Sequence, residues 1–117
     1  MWQGMDQRRF PRGRYKCVVT VQQSASASPF NAMTENLGLG GVCILIDRSL
    51  DIFSPVELEI SLEDGQPPLR VSGTVVWVVR QRELRKGSSF DTGVEFNQLS
   101  AEQRSRIEAI VDKTAST

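Results

Sequence analysis

The chain contains no histidine and a single tyrosine among 117 residues. Lack of histidine removes the commonest general base and the commonest zinc ligand. A Ser-His-Asp or Cys-His nucleophile therefore cannot be assembled, and no paired-carboxylate signature takes its place. Cysteine is nearly as scarce. Cys17 and Cys43 each lie inside an apolar run, and two thiols alone make no zinc site. They read as buried free thiols of a reducing compartment rather than as a disulfide. Aromatic residues make up only 7%, too few for a protein that stacks successive bases of a nucleic-acid polymer. Long apolar runs are missing too: Gly41–Ile46 falls far short of the ~18 residues of a membrane span. The stretch from Met1 to Gln7 has no apolar core of a secretory signal. These absences argue against an enzyme, a metal centre, a nucleic-acid binder and membrane insertion, and they lead us to expect a cytoplasmic protein.

What is present is ordinary globular composition, 39% hydrophobic and 24% charged, in a length that suits one domain. The net charge is zero, yet the charges are unevenly placed. Arg8, Arg9, Arg12, Arg14 and Lys16 follow one another with no acid between them. Arg80, Arg82, Arg85 and Lys86 surround a lone Glu83, and acids concentrate between Asp47 and Asp64. Such asymmetry in a neutral chain points to a localised anion site rather than a general affinity for polyanions.

Alternation of apolar and polar residues predicts six short strands. They cover Tyr15–Gln22, Ala32–Asn36, Gly41–Ile46, Val56–Leu62, Leu69–Val79 and Thr92–Phe96, with the strictest pattern in Val56–Leu62. In the fifth, Val71, Val75, Trp77 and Val79 fall on one face and Thr74, Val76 and Val78 on the other. Turn residues separate the strands at Ser24–Ser28 and at Asp64-Gly65-Gln66-Pro67-Pro68. The cluster Leu37-Gly38-Leu39-Gly40-Gly41 predicts a bend with φ > 0, and Arg80–Ser89 reads as a charged loop. The period then changes. Ser100 and Gln103 fit a capping box, and Ile107, Ile110 and Val111 lie at helical spacing, so a helix over Ala101–Lys113 presents one narrow apolar stripe. That stripe suits a lid on an open barrel end. The expected fold is all-β: a six-stranded antiparallel β-barrel with a C-terminal α-helix. Residues 1–7 read as a flexible N-terminus and 8–113 as the domain, with an arginine loop at 8–16, the barrel at 15–97 and the helix at 100–113. Trp77, Phe90 and Phe96 read as core or barrel-end residues.

Two features carry chemistry. Arg8, Arg9 and Arg12 stand in Arg8-Arg9-Phe10-Pro11-Arg12, where Pro11 restricts Phe10 to extended geometry. Arginine donates bidentately to phosphate or to the O6/N7 edge of guanine, and it stacks on base planes. By itself the run could equally be a solvated basic tail. Asn36-Leu37-Gly38-Leu39-Gly40-Gly41 offers an amide for a base edge and glycines that admit a ligand to the backbone, although such a stretch is commonly only a turn.

In this order, about 25 residues apart, the two features resemble the PilZ domain family, known by an RxxxR motif and a [D/N]xSxxG motif. Arg8 and Arg12 match the first; Asn36 and Gly41 match the second, while its serine position holds Gly38. Gly40-Gly41-Val42-Cys43-Ile44, Val75-Val76-Trp77 and Gly93-Val94-Glu95-Phe96 add to the resemblance. It implies a six-stranded barrel with a C-terminal helix and a ligand, cyclic di-GMP, with no cofactor. By position, Arg8 and Arg12 would contact guanine edges and phosphates, Asn36, Gly38 and Gly41 would line the barrel face, and Arg9 would add a stacking or phosphate contact. The implied role is a second-messenger module acting on an unidentified protein partner. Loss of the serine hydroxyl would cost about 0.5–1.5 kcal/mol of binding. The alternative is a PilZ-like protein-interaction module that has lost the nucleotide.

Overall fold

The computed structural model describes residues 12–13, 17–24, 27–62, 65–81 and 89–115, the backbone alone at 12–13, 81 and 113–115. Among these residues seven strands and one helix follow in order: β1 (Arg12–Gly13), β2 (Val18–Gln22), β3 (Phe30–Gly38), β4 (Gly41–Ile46), β5 (Pro55–Ile60), β6 (Leu69–Gln81), β7 (Ser89–Phe96) and α1 (Ala101–Ala115). Six of them close into an antiparallel barrel in the order β3-β2-β5-β6-β7-β4, and β4 pairs back onto β3. The two-residue β1 adds to the far end of β3. The expected barrel and helix are thus both present.

Valine and isoleucine make these strands because branched side chains fill a pleated, half-buried surface. Alternate residues point inward: Val19 and Val21 from β2, Val42 and Ile44 from β4, Val56, Leu58 and Ile60 from β5, and Val75 and Val94 from β6 and β7. Burying each such side chain is worth roughly 1.5–3 kcal/mol. The capping box forms: the Ser100 N–H donates to Gln103 Oε1 at 2.9 Å, and the Gln103 N–H donates to Ser100 Oγ at 3.1 Å. The helix is tied to β6 where Gln103 Nε2 donates to the Arg70 carbonyl at 2.6 Å. Its stripe does close the barrel: Ile107 and Val111 are buried in the core, and Ile110 packs against it.

Four expectations need correction. Part of the arginine segment is strand, since Arg12 and Gly13 pair with β3; the supposed flexible N-terminus, residues 1–7, lies outside the described residues. The Leu37–Gly41 cluster needs no positive φ, which among the described glycines occurs only at Gly65 (78°) in its turn. The charged loop is shorter, because Arg80, Gln81 and Ser89 belong to strands. Finally, β6 changes face. Its register with β7 jumps from Val75↔Val94 to Trp77↔Gly93, leaving Val76 as a bulge. Beyond it Val78 packs on the core and Val79 is exposed, a reversal that strict alternation cannot foresee.

The approach to β5 is held tightly. Phe53 sits at φ 72°, a conformation uncommon outside glycine. Its N–H donates to the Val75 carbonyl at 2.6 Å, and the Val75 N–H donates to the Ser54 carbonyl at 2.9 Å. These bonds pin the β4–β5 connection beside the β6 bulge.

Candidate functional site

The sheet register brings the two sequence motifs together. In the β1–β3 ladder Arg12 is the partner of Gly38, and Gly13 that of Leu37. The last residue of the arginine motif therefore pairs with the second motif, although about 25 residues separate them. Gly38 is buried at this junction. Helix α1 packs beside both β1 and β3. Arg8 and Arg9 lie outside the described residues. Gly41 opens β4, opposite Glu95 of β7, one bend away from Gly38.

Asn36 starts a row that crosses the outer wall. It pairs with Cys43, Cys43 with Gly93, and Gly93 with Trp77. The outward direction follows from the neighbours: Leu37, Val42, Ile44 and Val94 all point into the core. Strand spacings of about 4.8 Å make this row ~14 Å long. A bulge in β3 between Thr34 and Asn36 inserts Glu35 next to it. Trp77 corrects the expectation of a core or barrel-end residue, because it is half-buried and lies on this wall, outside the core cluster. Its indole rests on Gly93: a Cβ there would stand 2.8 Å from Trp77 Cδ1 and closer still to Nε1 and Cε2. Only glycine leaves room for the ring at this position.

Cys43 is outside any disulfide, as expected, and is 5% exposed, yet it belongs to the wall rather than to the core cluster. Its Sγ donates to Glu35 Oε1 at 3.5 Å. Asp91 joins them, and the thiol and one oxygen of each carboxylate lie within 4.8 Å of one another. A thiolate with two carboxylates is a donor set that a divalent cation such as zinc accepts. Sequence reasoning missed this trio because residues 35, 43 and 91 meet only through the ladder. The other thiol, Cys17, is structural: its N–H donates to Thr34 Oγ1 at 2.8 Å in the core. No helix among the described residues is long and apolar enough to cross a membrane.

The chain belongs to the PilZ domain family, whose model matches residues 6–113. PilZ domains are regulatory modules rather than enzymes. Among solved structures, the chain is similar to the PilZ domain of YcgR from Escherichia coli with c-di-GMP. That match has a TM-score of 0.72 at 15% identity and covers 95% of this chain and 93% of that one. It is also similar to the MrkH–c-di-GMP complex from K. pneumonia, with TM-score 0.72, 16% identity and 93% of this chain covered against 52% of that chain. The Bacillus subtilis inhibitor of motility, MotI/DgrA, matches with TM-score 0.71 at 14% identity, over 94% and 52% of the two chains. The chain thus spans about half the length of the last two. A search of curated protein sequences finds no match.

Proposed function

We propose that this chain is a cyclic di-GMP-binding regulatory module that passes the second-messenger level to a protein partner. The observation that carries this reading is the pairing of Arg12 with Gly38, which unites both motifs on one wall. Arg8, Arg9 and Arg12 would take the phosphates and the O6/N7 edges of guanine. Asn36 would pair with a base edge, and Gly38 and Gly41 would let the ligand approach the backbone. The half-buried indole of Trp77, packed on Gly93 in the row of Asn36, would offer a face for a base to stack on. Base–aromatic stacking contributes roughly 1–3 kcal/mol per base. Binding would fix the arginine segment across the wall, and α1, which packs beside β1 and β3, would present the change to a partner. Residues 8–113 form the working unit. Reduced cysteines at Cys17 and Cys43 suit a bacterial cytoplasm, and no polymer nucleic acid, cofactor or catalytic step enters this role.

Calorimetric titration with cyclic di-GMP, against GTP and a short oligonucleotide, tests the proposal. Saturable binding of cyclic di-GMP alone is expected. Glycine in place of the family's serine favours a second reading, a protein-interaction module without nucleotide. No heat at millimolar cyclic di-GMP would establish that reading instead.

A further inference from the structure

Among the described residues five large apolar side chains are exposed: Val18, Met33, Ile52, Phe53 and Val79. They fall into two patches of opposite shape. Val18, Met33 and Leu45 are successive partners across β2, β3 and β4, and the row continues through Asp91 to Val79. Val18, Met33 and Leu45, with Ile46, line an open groove of about 390 Å3 on the outer face, a volume typical of small-ligand clefts. The other patch is a knob. Ile52 and Phe53 are the central residues of the turn Asp51–Ser54, which the Ser54 N–H closes by donating to the Asp51 carbonyl at 3.2 Å. Ser54 Oγ donates to the same carbonyl at 2.6 Å. Phe53, at φ 72°, takes a place that favours glycine, yet its side chain is large and 77% of the residue is exposed. Such strain persists where the surroundings over-determine it, and it clusters at binding sites. Here the backbone bonds to Val75 fix the turn on both sides of the ring. The ring is thus held outward, already ordered for a partner.

We infer that the chain associates with itself, the Phe53 ring of one copy entering the Val18–Met33–Leu45 groove of a second copy. The same surface carries both halves of the fit, and the exposure of Phe53 shows that it does not fill the groove of its own chain. Charge permits the encounter. The net charge is zero, so two copies meet without overall repulsion. Asp47 on the groove rim is paired with Arg48 at 2.9 Å, which offsets the acid that would otherwise oppose Asp51 beside the incoming ring. A knob of one copy in a groove of the next is a heterologous contact, which repeats along a row of copies unless the rotation closes a ring. A contact built on one turn is small, so the association is weak and reversible. It goes beyond the nucleotide-binding function and does not depend on it.

Sedimentation velocity tests this on the purified chain without nucleotide, from about 1 μM to about 1 mM, the range of weak affinities. Two variants each remove one half of the contact. Phe53→Gly deletes the knob and suits the positive φ, so its melting temperature should be no lower than the parent's. Met33→Lys places a charge in the groove at an exposed outer position, with a near-parental melting temperature. The sedimentation coefficient of the parent should rise with concentration. Each variant alone should associate at least about tenfold more weakly, as expected when an aromatic anchor or its pocket is lost. An equimolar mixture of the two variants should regain association, because the ring kept by Met33→Lys fits the groove kept by Phe53→Gly. That mixture should stop at a dimer of one variant with the other, since neither remaining half has a match. A parent that stays monomeric over the whole range overturns the inference, and so do variants that associate as the parent does. If both variants lose association and their mixture stays monomeric, knob and groove do not meet each other, and the inference again falls. Binding of cyclic di-GMP is read separately, so none of these outcomes decides the function proposed above.

Discussion

Two rows of outward-facing residues cross the same barrel and differ in nearly every respect. Asn31, Thr20, Glu59 and Arg70 pair in succession across β3, β2, β5 and β6. Thr20 donates to Asn31 at 3.2 Å, and Arg70 to Glu59 at 2.9 Å. Two residues further along, Ser72 donates to Glu57 at 2.7 Å. This wall alternates without interruption and meets its polar needs within the sheet. The row Asn36–Cys43–Gly93–Trp77 is flanked by a bulge in β3 and another in β6, and it contains a glycine, a buried thiol and an indole. Bulges re-aim side chains at the expense of ladder bonds. The regular wall holds the barrel, and the irregular wall is the one to which the proposed function assigns the ligand. Substitutions should therefore separate stability from binding according to the wall they strike.

The largest separation is expected from reversing charge. Arg12→Asp should weaken cyclic di-GMP binding by at least ~2–5 kcal/mol, about 30-fold or more, with a near-parental melting temperature. Arg70→Asp, the same change on the regular wall, should leave binding intact. Equal losses from both, read by calorimetry, would mean that the ligand responds to overall charge and that the two walls are not distinct.

Next is the glycine beneath the indole. Gly93→Ala places a methyl group against Trp77, and overpacking of this kind costs about 1–3 kcal/mol. The melting temperature should fall by roughly 4–8 °C for each kcal/mol. Because the displaced ring leaves the row of Asn36, binding should weaken as well. Trp77→Ala should reduce binding with a smaller thermal penalty, since the indole is not part of the core cluster. If Gly93→Ala melts with the parent, the ring does not lie where the row requires it.

A milder test concerns Gly38. Serine there restores the hydroxyl of the family pattern, and a positive φ does not stand in the way. Affinity for cyclic di-GMP should rise by about 0.5–1.5 kcal/mol, with no comparable gain in stability.

The contrast between the walls also explains what was legible in the sequence. Strict alternation in Val56–Leu62 located β5, and the apolar run Gly41–Ile46 gave β4 its bounds. Ser100 and Gln103 marked the helix start at atomic detail. Where the sheet is regular, period-two reasoning suffices. It failed at Val76, whose bulge sends Trp77 outward, and it could not register Glu35 as an inserted residue. Neither bulge has a local signal, because each depends on which partner strand is present. Both motifs were readable as strings, but their contact was not, since the Arg12–Gly38 pair is a property of the β1–β3 register. The Glu35–Cys43–Asp91 trio is drawn from three strands and stayed hidden for the same reason.

The smallest expected effect belongs to the regular wall. Arg70 and Glu59 face each other across the β5–β6 ladder with Nε to Oε2 at 2.9 Å, and their side chains are 83% and 38% exposed. Solvent screens such a pair, and ordering two long side chains opposes the attraction, so a coupling of only about 0.2–1 kcal/mol is expected. A double-mutant cycle with Glu59→Ala, Arg70→Ala and both together isolates that energy from other losses. Urea denaturation measures it, and raising the salt concentration should shrink it. The charge-reversed Arg70→Asp places two acids opposite each other and should destabilise by a similar amount. None of these variants should alter cyclic di-GMP affinity by more than about the error of the titration. A coupling well above 1 kcal/mol would mean that the pair is less hydrated than its exposure implies. A loss of binding in the single Glu59→Ala variant would carry the ligand's footprint onto the regular wall and remove the distinction between the two faces.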